Sequence, residues 1–434
     1  MSVVVGVDVG SRSVRAVALD RDGTVVCHVG APYAGADSWP TGVAEPERWL
    51  DAVGLALERL VALDNDAASP AALAVGGQSP TAIPLEGKQA LTYQFSVGVE
   101  GGLHAQQREQ CNHLRASQPD VEVFQLWDWV LFRMGAPRRQ GRWPGDRAID
   151  ELGKRVDTGN VVGEADGTFA VAPGTPLVAG GPDALLTFWA AGLDETARAC
   201  DPGGRSGGLV VAAEDRELPL GLMRMASPAK GCIIVGGPVS AHGAALDWLS
   251  AITGRHIEEL LSLAALAPPG ARGVMFLPYL DGERAPRWQP ALTGAFHGLR
   301  SETQVADLAR AVLEGTAYGL AHIQRLLLST GIDVRVVTCT GSPSRSALWC
   351  EIKASLLGVP LEVPSFRELS AYGAALAAGA GAGWWPAPAC ADAGSWPRPS
   401  MTRVEPRPEA AYAEGLERFL ALGDFAEQQL VRPR

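Results

Sequence analysis

The β-branched run Val3 to Val7 leads into an acidic residue, Asp8, and then a turn holding Gly10, Ser11 and Ser13; no other stretch limits the choice of fold so strongly. A run of this kind is stable only as a buried strand, and the turn must send the chain back beside it. Ser13 to Leu19 supplies the returning strand, and Arg21-Asp22-Gly23 turns into a third at Thr24 to Val26. After Pro46, placed to start a helix, Trp49, Val53, Leu57 and Leu60 recur at helical spacing, and a short strand at Leu73 to Val75 ends in Gly76-Gly77. A meander followed by helix and strand is a mixed α/β domain. A second strand with a Gly turn falls near Gly203 to Val211, and an amphipathic helix is expected from about Thr303 to Leu328, with Val305, Leu308, Val312 and Leu313 on one face. With 434 residues, two or three domains are expected, with two lobes and a cleft between them as the starting picture and a boundary near residue 195.

Between Trp384 and Pro408 the density of Pro, Trp and Ala rules out a regular helix or a central strand and predicts an irregular surface crossing. A last helix follows, with Tyr412, Leu416, Phe419 and Leu420 as its packing face on the second domain. The net charge of -11 is spread along the chain, which disfavours nucleic acid or an anionic membrane as a bulk partner. Phosphate must then be held by local design. Cys27, Cys111, Cys200, Cys232, Cys339, Cys350 and Cys390 show neither zinc-ligand nor redox spacing, as expected for buried or incidental thiols in a reducing cytosol. The start MSVVVGVDVG has no signal-peptide character, and the longest apolar stretch, Ala371 to Trp385, is too short and Gly-rich to span a bilayer, so a cytoplasmic protein is expected.

Four fragments carry chemistry. In DVGSRSVR, Asp8 ends a strand and can hold hydrated magnesium, while backbone amides and hydroxyls of the turn face a phosphate. An ordinary hairpin fits the same residues. VAGGPDALLTFWAAG sets Asp183 after a strand and a Gly-Gly-Pro turn, at the start of a helix whose dipole favours the ionised carboxylate, as a proton acceptor requires; a helix-capping Asp is the alternative. GRSGG at Gly204 to Gly208 reads as a second phosphate turn with Arg205 adding charge, or as a surface β-turn. TGSPSRSALWCEIKASLLG reads as a strand ending at Thr340, a turn, and a helix from about Arg345 able to receive a nucleoside, or as a plain strand-turn-helix.

In this order the four fragments resemble the FGGY carbohydrate kinases, and most closely the xylulokinase-like members, over nearly the whole chain. FLPYLDGERAPRWQPALTGAFHGL, continued by DLARAVLEGTAYGL, resembles that family's second-domain signature; GCIIVGGPVSAHGAALDWL and RELSAYGAALAAG fall where the family places them. The resemblance implies two actin-like, ribonuclease-H-like α/β domains, 1–195 and 196–434, with an interdomain active-site cleft. It implies ATP and Mg2+ there, and transfer of the γ-phosphate to a sugar hydroxyl, a pentulose such as xylulose first. Asp8, Gly10, Ser11, Arg12 and Ser13 match the first phosphate motif, and Asp183 matches the catalytic base. Gly204, Arg205, Ser206 and Gly207 match the second phosphate motif, and Gly341, Ser342, Pro343 and Ser346 the adenosine turn. Gln78, Ser79 and Pro80 match sugar contacts, and Glu283 and Arg284 lie in the substrate-side loop. A small-molecule sugar is the implied partner, and a homodimer is compatible with it.

Several positions depart from the pattern. Ser79-Pro80 replaces Met-His, LTYQFSVGVEGG lacks the aromatic-x-Asp-x-Arg sugar contacts, and the stretch from Trp129 to Asp183 is shortened. Arg205 replaces Thr, and Ser342-Pro343 replaces Gly-Gly with the loss of one N–H. These changes motivate a second reading, a catalytically impaired relative that binds sugar or nucleotide as a regulator. An actin- or chaperone-like ATPase is disfavoured by the GERAP loop.

Overall fold

The computed structural model describes residues 2–33, 41–85, 88–95, 102–142, 154–388, 392 and 394–431; Cys390 and part of the Leu91 to Gly102 stretch lie outside them. The chain divides into two compact units, Met1–Asp194 with Ala226–Lys230 and Glu368–Pro399, and Glu195–Met225 with Gly231–Arg367 and Ser400–Arg434. A single cut near residue 195 describes only part of this division, because the helix Leu369–Gly381 packs in the first unit. Glycines permit it. A Cβ on Gly6 would lie 2.2 Å from the Ala375 nitrogen, and one on Gly373 would lie 2.2 Å from the Leu186 carbonyl oxygen.

The first unit contains β1 (Val4–Val9), β2 (Ser13–Leu19), β3 (Val25–Pro32), α1 (Pro46–Leu63), β4 (Leu73–Gly77), β5 (Val161–Glu164), β6 (Pro176–Pro182) and α2 (Asp183–Ala190). Its six-stranded sheet runs β5-β6-β4-β1-β2-β3. β1 is antiparallel to β2 and parallel to β4, which is parallel to β6. β3 extends well past the expected Val26, since His28 and Gly30 alternate outward while Ala31 is buried, so one exposed face disguised the strand. Pro46 opens α1, which buries Trp49, Val53, Leu57 and Leu60 against the sheet.

The second unit contains β7 (Arg198–Asp201), β8 (Gly207–Glu214), β9 (Met223–Ala226), β10 (Cys232–Val239), α3 (Gly243–Thr253), α4 (Val305–Ser329), β11 (Val336–Cys339), α5 (Ala347–Leu357), β12 (Leu361–Pro364), β13 (Met401–Val404) and α6 (Ala410–Val431). Its sheet runs β9-β10-β8-β7-β11-β12-β13. β7 is antiparallel to β8 and parallel to β11, repeating the relation of β1 to β2 and β4. The turns after β1 and β7 are therefore topologically equivalent. α4 starts at Val305, two residues later than expected, because Gln304 and Asp307 form a capping box. The Pro-rich crossing contains β13, antiparallel to β12 at the sheet edge, where Pro and exposed backbone are tolerated. Tyr412 and Phe419 of α6 enter a core with Phe276, Tyr279 and Tyr318. No described helix is long and apolar enough to cross a membrane.

The contact of β1 with Leu369–Gly381 leaves no room for a methyl group. Gly6→Ala should lower the unfolding free energy by about 2 kcal/mol in urea titration. Gly30→Ala, where a Cβ would meet nothing nearer than 4.0 Å, should change it by less than about 0.5 kcal/mol. Equal effects at the two positions would reject the packing argument.

Candidate functional site

Strand register assembles the first-unit site. Asp8 and Gly181 both pair with Gly76, and Pro182 pairs with Gly77, so β1, β4 and β6 end together. This edge brings together Asp8, Gln78 and Asp183, at the carboxyl ends of parallel strands where α/β sheets bind ligands. Gly180-Gly181-Pro182 is not a turn but the end of β6, and a Cβ on Gly180 would lie 1.8 Å from the Val75 carbonyl oxygen. Asp183 is the first residue of α2 and half-buried; its Oδ1 accepts from the Ala184 amide at 2.7 Å. Pro182, not Asp183, is the N-cap. Burial, and then the Asp8 carboxylate, push the Asp183 carboxyl from an ordinary 3.8 up to about 7. The expectation that the helix terminus would favour the ionised form is thus reversed, as desolvation and a like charge outweigh the amide.

Asp8 is buried, and burial raises its pKa while Ser370 and Arg15 pull it partly back. Arg15 Nη1 stands 3.6 Å from Asp8 Oδ2, and its Nε is 2.7 Å from Glu368. Asp8 Oδ1 has no hydrogen-bond partner among the described residues. In the adjoining turn the Gly10 amide donates to the Ser13 carbonyl at 3.1 Å, with Ser11 and Arg12 exposed. Gly10 has no left-handed backbone; what it provides is space, since a Cβ would sit 3.3 Å from Arg15. Tyr33, unremarked in the sequence, donates its hydroxyl to the Gly10 carbonyl at 2.8 Å and its amide to the Arg12 carbonyl.

The segment Gln78-Ser79-Pro80 is pinned rather than free. Gln78 is buried and its carbonyl accepts from the Thr81 hydroxyl at 2.9 Å. Buried Gln107 and Gln110, from the helix Gly102–Ser117, donate to the Thr81 and Thr92 carbonyls at 3.2 and 2.9 Å. That helix is polar on average, so neither glutamine carried a sequence signal.

In the second unit, Gly203 and Gly204 take left-handed backbone, with φ of 63° and 96°. The Gly204 and Arg205 carbonyls accept from the Gly243, His242 and Ala244 amides at 2.9–3.0 Å, which fastens the turn to the start of α3. Arg205 is exposed and 2.9 Å from Asp247, so its charge is partnered by a carboxylate here. Ser342 to Arg345 form one 3-10 turn, and α5 begins at Ala347, later than expected, because Ser346 caps it by accepting from the Trp349 amide at 3.2 Å. Pro343 sits in the first helical turn, where an amide lacks an intrahelical partner, so its missing N–H costs the helix nothing. Glu283 is buried and its Oε1 accepts from the Ser240 and Arg284 amides, each at 2.8 Å. It braces the loop internally instead of presenting an open substrate contact, and burial pushes its carboxyl up to about 7. A separate cavity of about 540 Å³, lined by Arg272, Arg310, Glu351 and Tyr412 among others, includes none of these residues.

Comparisons with known proteins bear on the fold and on part of the second unit. A family model, the FGGY family of carbohydrate kinases, C-terminal domain, matches residues 216–382. A xylulose kinase of Staphylococcus epidermidis is 34% identical over 151 residues, 34% of this chain and 30% of that protein. A xylulose kinase of Streptomyces coelicolor is 27% identical over 86% of both chains. The match thus spans under a third of the first relative. The xylulose kinase of Rhodospirillum rubrum has the same fold, with a TM-score of 0.82 at 22% identity over 99% of this chain and 100% of that one. The gluconate kinase of Lactobacillus acidophilus follows at 0.80 and 18% identity, over 99% and 98%. The likeness to the FGGY family of carbohydrate kinases is thus carried by residues 216–382, where the model of its C-terminal domain matches.

Proposed function

We propose that this protein is an ATP-dependent carbohydrate kinase in which Asp183 accepts the proton of a sugar hydroxyl as its oxygen attacks the γ-phosphorus and ADP departs. The carrying observation is the pairing of Asp183 with Asp8 at one sheet edge, with the Asp183 carboxyl pushed up to about 7. A base with that affinity takes an alcohol proton at neutral pH and returns it to solvent. The first unit holds this base and the Asp8 to Ser13 turn; the second unit holds the Gly204 to Gly207 and Gly341 to Ser346 turns. Phosphoryl transfer needs positioning and charge neutralisation more than covalent help, which suits backbone turns. The relatives' names point to sugars and polyols, and pentuloses such as xylulose lead the substrates to be tried.

Among the described residues, no group of three or more His, Cys, Asp or Glu could hold a metal. The unpartnered Asp8 Oδ1 fits a hydrated Mg2+ carried largely by the nucleotide phosphates. Asp8 would hold it through water, and the ion would neutralise phosphate charge. A second reading, a relative that binds without turning over, is favoured by Arg205 in the Gly turn. An ADP-release assay over pentuloses, hexoses and polyols should show sugar-dependent turnover; nucleotide binding with silence across the panel would favour the second reading.

Asp183→Asn should lower turnover roughly a hundredfold or more while nucleotide affinity changes little. Retained turnover would remove Asp183 from the role. The wild-type kcat/KM should fall as pH drops through about 7, because protonation removes the base. The same shift makes a stability statement of opposite use. A carboxyl raised from 3.8 to about 7 in the folded state destabilises the fold increasingly from pH 4 to 7, fully above 7, and not below 4. Asp183→Asn should therefore raise Tm at pH 8 and leave it unchanged at pH 4; a lowered Tm at pH 8 would contradict the buried-charge account.

A further inference from the structure

Asp201 ends β7 where Asp8 stands near the end of β1, each beside a parallel neighbour and ahead of a Gly turn. The two carboxylates are treated oppositely. Asp8 keeps Oδ1 unpartnered among the described residues, whereas fully buried Asp201 receives the Lys353 ammonium on Oδ2 at 2.5 Å. Lys353 is equally buried, and its pKa moves up, because the Asp201 charge outweighs burial. Burial alone would raise Asp201, but the Lys353 charge and hydrogen bond bring it below its ordinary value, so the pair is ionised. His242 Nε2 lies 3.6 Å from the same oxygen, and burial and then Lys353 push the imidazole down to about 3, leaving it neutral. Its ring stacks on Trp349 at 5.0 Å, and the Lys353 ammonium is 5.2 Å from the same indole.

Besides the Cys339 thiol, which donates to Oδ2 at 3.7 Å, Asp201 makes two hydrogen bonds that lead to the turns proposed to hold nucleotide. Its Oδ1 accepts from the Gly203 amide at 3.0 Å, and its carbonyl accepts from the Thr340 amide at 3.0 Å. Lys353 belongs to α5, the helix that follows the Gly341 turn. The turns themselves meet backbone to backbone: a Cβ on Gly203 would lie 2.1 Å from the Thr340 carbonyl oxygen, and one on Gly341 would lie 2.9 Å from the Gly204 nitrogen. A buried ion pair is a poor source of stability, since two apolar side chains of similar size commonly serve a fold as well or better. Stability therefore does not account for its presence at this junction.

We propose that buried Asp201 is a positioning residue for nucleotide binding, its side-chain oxygen fixing the Gly203 amide so that the Gly203 to Gly207 turn is held in register with the Gly341 to Ser346 turn, while Lys353 neutralises its charge. Asp201 acts through Gly203 and touches no ligand. The inference rests on the proposed nucleotide role of these turns, and two double variants separate it from a plain packing role. Asp201→Asn with Lys353→Met removes both charges but keeps an oxygen for the Gly203 amide. Asp201→Leu with Lys353→Met removes the oxygen too.

Calorimetric titration with ADP, and KM for ATP at saturating sugar, are the readouts, with Tm as the control. The Asn/Met variant should bind ADP within about twofold of the parent, and the Leu/Met variant about five- to tenfold more weakly, the loss of one hydrogen bond, with kcat and Tm similar in both. Equal ADP affinity in the two variants overturns the positioning role. A parent chain that binds no ADP overturns the proposed function and this inference with it; a parent that binds ADP without sugar-dependent turnover overturns only the kinase activity, and the ADP comparison still decides the positioning role. Should the Leu/Met variant fail to fold, hydrogen exchange on the parent decides: the Gly203 amide should exchange at least about a hundredfold slower than in an open peptide. Exchange at the open-peptide rate overturns the proposal.

Discussion

The burial of a carboxylate beside another at one strand edge is the constraint that sets the proton affinity of the first unit's candidate site. The parallel register of β1, β4 and β6 leaves Asp183 close enough to Asp8 that, after burial, the Asp8 carboxylate disfavours its ionisation. Arg15 and Ser370 relieve Asp8 only in part. The same burial that costs stability raises the proton affinity of Asp183 to near neutrality, and Asp8 keeps one oxygen without a hydrogen-bond partner among the described residues.

The second unit repeats the strand plan but resolves the equivalent carboxylate differently. Lys353 pairs with Asp201, and the cost of burying its charge is offset by that ion pair. One topology thus presents a poised carboxylate after β1 and a neutralised one after β7. The contrast follows from side chains contributed by distant elements: Arg15 by β2 and Ser370 by the helix Leu369–Gly381 in one unit, α3 and α5 in the other.

Much of the secondary structure was legible because burial imposes a period. β2 spans the expected Ser13 to Leu19, and α1 begins at Pro46 with its four apolar anchors buried. Errors concentrate where hydrogen bonding, which has no period, sets the boundary: Ser346 delays α5, Gln304 delays α4, and Gly180 to Pro182 continue a strand. The candidate site was legible as residue types brought to one sheet edge, but not as partners. Tyr33, Gln107 and Gln110 support it from positions with no local motif, and Glu283 proved to be a brace.

By itself the sequence determined the alternation of strand, turn and helix and the order of its Gly turns, since chain stiffness and hydrophobic period act over a few residues. Tertiary structure decided which carboxylate stays poised, which is neutralised, and which glycines admit another backbone. Those outcomes depend on charge and volume arriving from residues far along the chain, as Lys353 does for Asp201 and Ala375 for Gly6.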